Sequence, residues 1–221
     1  MRVSDLTDSR AATNALLATG RDSHWKPRAV ARFLCQATHR SARQAARHPR
    51  ALAELIALHG LLLPLTQTRA DRRWVAASWT LAALHLGLLE RRDHLAPADA
   101  LTLIRGNLPA TAIGASRFSG VLAIASDVAD GRLARRQATT SPFGDYADTF
   151  ADAAFWTWLT LRHEPSRTVR AAAIAAWAAP VLAVTALAVS RGQMPERPRP
   201  ELLRPAAAMQ GIVALRHLLR R

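Results

Sequence analysis

The chain alternates apolar runs with short arginine-rich links. Across its first fifty residues Val30, Phe33, Leu34 and Ala37 recur at helical spacing and predict one or two amphipathic helices. Asp22 or Ser23 stands where an N-cap belongs, and Pro27 suits an early helical turn. From residue 51 the runs lengthen: ALAELIALHGLLLPLT (51–66), WVAASWTLAALHLGLL (74–89), a region over roughly 98–127, DTFADAAFWTWLTL (148–161), AAAIAAWAAPVLAVTALAVS (171–190) and AAAMQGIVALRHLL (206–219). No useful length alternates with period two, so the expected fold class is all-α. A bilayer-spanning helix needs about 20 largely apolar residues. Only 171–190 meets this cleanly; the other runs are short or hold His, Glu or Arg. Trp74, Trp79, Trp156 and Trp158 lie near segment ends, where an interfacial aromatic belt and a buried core read alike.

Charge changes this picture. Of 221 residues 30 are basic and 16 acidic, a formal net charge of +14, and Lys26 is the single lysine. Such a balance suits anionic partners. The apolar segments argue against nucleic acid and leave membrane lipid and phosphorylated substrates. Residues 1–50 carry ten basic and three acidic residues and read as a basic helical extension, either a small cap or a membrane-surface helix. Cys35 is the only cysteine, so neither an intramolecular disulfide nor a cysteine zinc site can form.

Against that basic background, DVADGRLARRQATTSPFGDYADTFAD (127–152) gathers five aspartates. Asp127 and Asp130 share one helical face by their spacing; Gly144, Asp148 and Asp152 share another. Pro142 and a Ser/Thr cluster between them signal a turn, so a helical hairpin would bring four carboxylates together. Four such groups in an apolar setting need compensation. Hard divalent cations supply it, and Mg²⁺ commonly binds carboxylates together with substrate phosphates. Arg132, Arg135 and Arg136 are placed to hold phosphate oxygens. The bland alternative is a solvated loop whose acids pair with nearby arginines; acids on two matched faces weigh against it. Asp145 falls off the Asp148/Asp152 face and suits a helix N-terminus.

This stretch resembles the signature of the CDP-alcohol phosphatidyltransferases, D-x2-D-G-x2-A-R-x8-G-x3-D-x3-D. Asp127, Asp130, Gly131, Ala134, Arg135, Gly144, Asp148 and Asp152 fill its eight fixed positions. The resemblance implies a polytopic membrane bundle of about six helices, some of them short here. It implies Mg²⁺-dependent transfer (Mn²⁺ as an alternative) of a substituted phosphoryl, often phosphatidyl, group from a CDP-linked donor such as CDP-diacylglycerol to an acceptor alcohol, with release of CMP, in phospholipid biosynthesis. Asp127, Asp130, Asp148 and Asp152 would be metal ligands and Asp152 also the general base. Gly131, Arg135, Ser141 and Gly144 would contact the donor. The enzyme would sit in the cell membrane with its active site facing the cytoplasm, among membrane lipids, with a homodimer allowed.

The expected core is 96–221, preceded by two extra helices in 51–95 and the extension in 1–50. ALTLIR (100–105) keeps Leu101, Thr102 and Arg105 of a further family pattern, N-x-L-T-x-x-R, with Asp99 where the Asn would stand; Thr102 and Arg105 join the candidate substrate contacts. Only residues 106–126 separate Arg105 from Asp127, too few for the two spans usual in the family. A short hairpin turning near Gly114 to Ser119 would return both to one side; a single span would separate them. The hairpin keeps 1–50, 90–92 and 132–136 together on the cytoplasmic side. His59 and His85 read as satisfied core histidines, His163 and Glu164 as a solvated turn, and 190–205 as a basic loop in which Arg191, Arg197, Arg199 or Arg204 could hold an acceptor phosphate. Rival readings are a membrane prenyltransferase acting on a prenyl diphosphate and a family member without turnover.

Overall fold

The computed structural model describes residues 8–194 and 204–220. Among these the chain forms nine α-helices and no strand: α1 (Ser9–Asp22), α2 (Pro27–Ala46), α3 (Pro49–Leu62), α4 (Arg69–Leu84), α5 (Pro97–Asn107), α6 (Ser119–Arg136), α7 (Pro142–His163), α8 (Arg167–Arg191) and α9 (Arg204–Leu219). Local chemistry sets their bounds. Proline occupies the first turn of α2, α3, α5 and α7, where its missing N–H costs nothing. Thr68 and Asp71 close a capping box at the start of α4, and Ser166 caps α8. Gly192 ends α8 in the left-handed conformation (φ 66°). Asp22 and Ser23 do not cap α2, as their sequence position suggested. They close α1, whose own N-cap is Asp8, and α2 starts behind Lys26 with no side-chain cap.

Two cores carry the packing. In one, Ala51 and Leu55 of α3 and Ala82 and Ala83 of α4 meet Leu103 of α5 with Phe143 and Ala147 of α7. In the other, Phe155, Trp156 and Leu159 of α7 meet Ala123 of α6, Ala173 of α8 and Val213 and Ala214 of α9. Trp156 is thus core, not interfacial belt. Helix α7 runs through both cores and α5 lies along it. They come close because Gly106 faces Ala151: a Cβ added at Gly106 would lie 3.2 Å from the Ala151 Cβ. His59 is buried, with Nδ1 on the Leu55 carbonyl (3.0 Å) and Nε2 on Ser78 Oγ (3.2 Å), a satisfied core histidine as read.

Between α5 and α6 the chain turns over residues 108–118, and the two helices pack side by side. The short hairpin therefore forms. Glu164 departs from its reading as a solvated residue. It is buried, and its carboxylate accepts from Arg216 (2.8 Å) and Arg220 (3.0 Å), tying the end of α9 to the end of α7. Among the described residues α8 alone is long and apolar enough to cross a membrane. Of the basic loop 190–205, Arg197 and Arg199 lie outside the described residues; Arg191 ends α8 and Arg204 opens α9.

Candidate active site

The site forms where α6 and α7 reverse direction. After α6 ends, Ala138 takes a left-handed backbone (φ 51°), and Ser141 caps α7 by accepting from the Gly144 N–H (3.1 Å). The reversal faces Asp127 and Asp130 of α6 toward Asp148 and Asp152 of α7. One oxygen from each of Asp127, Asp148 and Asp152 lies within 4.8 Å of the others. Asp130 stands outside that trio, buried, and accepts from Thr102 Oγ1 at 2.8 Å.

Arg105 of α5 sits in the middle with its side chain fully buried. Its Nη1 donates to Asp127 (3.0 Å) and Asp130 (3.1 Å), and Nη2 donates to Asp148. Nε lies 3.3 Å from Asp152 Oδ1, without the geometry of a hydrogen bond. A single guanidinium thus faces four carboxylates. With all four ionised, most of the negative charge stays uncompensated, an arrangement that draws further cations.

The donor set fits a hard divalent cation. It is all carboxylate oxygen, its members lie within 4.8 Å of one another, and Asp152 Oδ1 is buried without a hydrogen-bond partner. Mg²⁺ and Mn²⁺ take such ligands. Asp127, Asp148 and Asp152 could hold one.

Two cavities meet at this cluster. The larger, about 520 Å³, is lined by Thr102, Asp127, Asp130, Gly131, Arg132, Arg135, Ser141, Gly144 and Asp148. It brings together every donor contact expected from the sequence except Arg105, whose N–H groups are turned onto the aspartates. Arg136 does not line it. Gly144 matters for space: a Cβ there would come within 3.1 Å of Asp99 Oδ1. The smaller cavity, about 250 Å³, lies between α7, α8 and α9, and Asp148 and Asp152 line it.

Three residues that shape the site escaped the sequence reading. Arg92 donates to the Thr139 carbonyl (2.9 Å), to Ser141 Oγ (3.1 Å) and to Asp99, so it grips the α6–α7 linker from outside the aspartate motif. Asp99, 3% exposed, also accepts from the Ala96 N–H (2.8 Å). Gln210 of α9 donates from Nε2 to Asp152 Oδ2 (3.1 Å). No local pattern marks Arg92 or Gln210. Asp99 was noticed only as a departure from a family pattern.

No curated protein and no solved structure matches the chain. A family model described as CDP-alcohol phosphatidyltransferase matches residues 98–219, from the start of α5 to the end of α9, more than half of the chain. That stretch holds all four clustered aspartates, Arg105 and Gln210, and the chain belongs to the CDP-alcohol phosphatidyltransferase family.

Proposed function

We propose that the protein is a Mg²⁺-dependent transferase that moves a substituted phosphoryl group, phosphatidyl in the first instance, from a CDP-alcohol to an acceptor alcohol and releases CMP. One observation carries this reading: Asp127, Asp130, Asp148 and the donor-type contacts Gly131, Arg135, Ser141 and Gly144 line one cavity, with Asp152 at its edge in the same cluster. Arg132 and Arg135 supply the planar N–H forks suited to diphosphate oxygens. Asp152 is the base. An alcohol attacks well only when its proton is taken in the transition state, and the Asp152 carboxylate lines the smaller cavity, which an alcohol could enter. A divalent cation on Asp127, Asp148 and Asp152, with Asp130 behind them, would offset charge on the diphosphate and on departing CMP.

Residues 96–221 form the proposed transferase core, with 51–95 and 1–50 as additions to it. Membrane embedding is part of the proposal. It is supported by α8 and by large apolar side chains left exposed on several helices, among them Leu61 (77%), Leu182 (67%) and Leu219 (71%). The test is CMP release by purified protein from CDP-dioleoylglycerol with Mg²⁺ across a panel of acceptor alcohols, with product mass. Release that needs both an acceptor and Mg²⁺ supports the reading. No release with any acceptor, or turnover of geranylgeranyl diphosphate instead, overturns it.

A further inference from the structure

We infer that the acceptor is a neutral amphiphilic alcohol, a hydroxyl on an uncharged head with an apolar body, seated in the smaller cavity between α7, α8 and α9; this rests on the transferase reading above. The two cavities differ in chemistry. The larger is polar and includes Arg132 and Arg135. The smaller is walled by Trp156, Trp177, Pro180, Val181, Ala206 and Ala207, and among its described lining residues there is no Arg, Lys or His. Its polar lining residues are Asp148, Thr149, Asp152 and Gln210, and Asp152 accepts from Gln210 at the end nearest the aspartate cluster. A hydroxyl suits that end and hydrocarbon suits the walls. Among the described lining residues no cation is present to receive the phosphate of a phosphorylated polyol, which would lose its hydration there without replacement.

Position assigns this cavity to the acceptor. Asp148 lines both cavities, whereas Asp152 lines only the smaller. A hydroxyl beside Asp152 therefore meets a donor diphosphate across the carboxylate ridge. The Asp152 carboxylate takes the hydroxyl proton. The acceptor oxygen bonds to the phosphorus that bears the donor alcohol. The bond from that phosphorus to the bridging oxygen breaks, and CMP leaves with the electron pair. The apolar body has a way out along α8, where Val181 and Leu182 are 49% and 67% exposed.

A matched pair of acceptors tests this. Monoolein and glycerol 3-phosphate share a glycerol head, but one carries an acyl chain and the other a phosphate. With CDP-dioleoylglycerol and Mg²⁺, kcat/KM for monoolein should exceed that for glycerol 3-phosphate at least tenfold. Ala206→Leu, which fills the cavity, should raise the monoolein KM about tenfold and leave the donor KM and CMP affinity unchanged. Ala207→Leu gives the same measurement if the first variant loses CMP binding. CMP release that favours glycerol 3-phosphate would overturn the acceptor assignment and leave the transferase reading standing. Unchanged acceptor KM in a CMP-binding variant would remove the acceptor from this cavity. No CMP release with either acceptor, or with any other alcohol, would defeat both.

Discussion

A guanidinium held by four carboxylates acts at once as glue and as competitor. Arg105 keeps Asp127, Asp130, Asp148 and Asp152 together against their mutual repulsion, and it stands where a metal ion's charge would be felt most. Arg105→Ala should therefore destabilise the protein in EDTA, by less than the ~3–5 kcal/mol of a fully buried pair because Asp127 and Asp148 are about half exposed. Excess Mg²⁺ should restore more stability to the variant than it adds to the parent. Tryptophan-fluorescence melting with and without Mg²⁺ measures both; equal gains would mean that guanidinium and metal do not compete. Asp152 sits at the other edge of the cluster. Asp152→Asn should cut transfer by roughly 10²–10⁴-fold, the worth of a general base, while CMP still binds by titration calorimetry. Near-parental turnover would take the base role from Asp152.

At the level of elements, the distinctive feature is how short α5 is. Its 11 residues rise about 16 Å, roughly half of a bilayer core. A half-length helix followed by an eleven-residue connection, 108–118, is how 106–126 brings Arg105 back to Asp127. That outcome was readable from spacing and charge, as was the α6–α7 hairpin, because both rest on local periodicity and turn residues. Contacts between distant segments were not readable. Glu164 lies in an Arg-rich link that looks solvated, yet its partners are Arg216 of α9 and Arg220 just past that helix's end, some fifty residues on. Those N–H groups hold its carboxyl down at about 2, Arg216 foremost. A depressed carboxyl stabilises the fold above its ordinary value of about 4.3 and loses that contribution as pH falls toward 2. Glu164→Gln should lower the melting temperature at neutral pH, and the gap to the parent should close on acidification; a constant gap would mean the charge is not what matters. Arg92 was equally silent in the sequence, since a single arginine among thirty basic residues has no local signature. It grips Thr139, Ser141 and Asp99 from outside the family match. Arg92→Ala should raise the donor KM severalfold with kcat little changed, and Arg92→Lys should not restore it, because one ammonium cannot reproduce a planar fork across three acceptors. A loss confined to kcat would place Arg92 in the chemistry instead.

Across the whole molecule the contacts sort into two ends. At one, Arg92 holds the α6–α7 linker, and α1 clasps the end of α8: Arg21 donates to the Arg191 carbonyl (2.9 Å) and Asn14 accepts from the Met194 N–H (2.7 Å). At the other, Glu164 binds Arg216 and Arg220, and His217 bonds the Ser116 carbonyl (3.2 Å). Both ends carry arginines, Arg91, Arg132, Arg135 and Arg136 at the first and Arg117, Arg162 and Arg167 at the second, so the links alone set no strong orientation. The first fifty residues tip the balance, with ten basic against three acidic, and α1 and α2 within them dock at the aspartate end. If the protein spans a membrane, that end should face the cytoplasm. Cys35 reports on it directly, being the only cysteine and exposed on α2. A membrane-impermeant maleimide should leave Cys35 unlabelled in intact cells and label it in inverted vesicles. Arg69→Cys, made together with Cys35→Ser, should give the opposite pattern, since α4 begins at the far end beside the core patch of Leu62, Val75 and Ala110. Labelling of Cys35 from outside would turn the site away from the cytoplasm. Release of the protein by alkaline carbonate would place the exposed leucines against another protein instead of lipid.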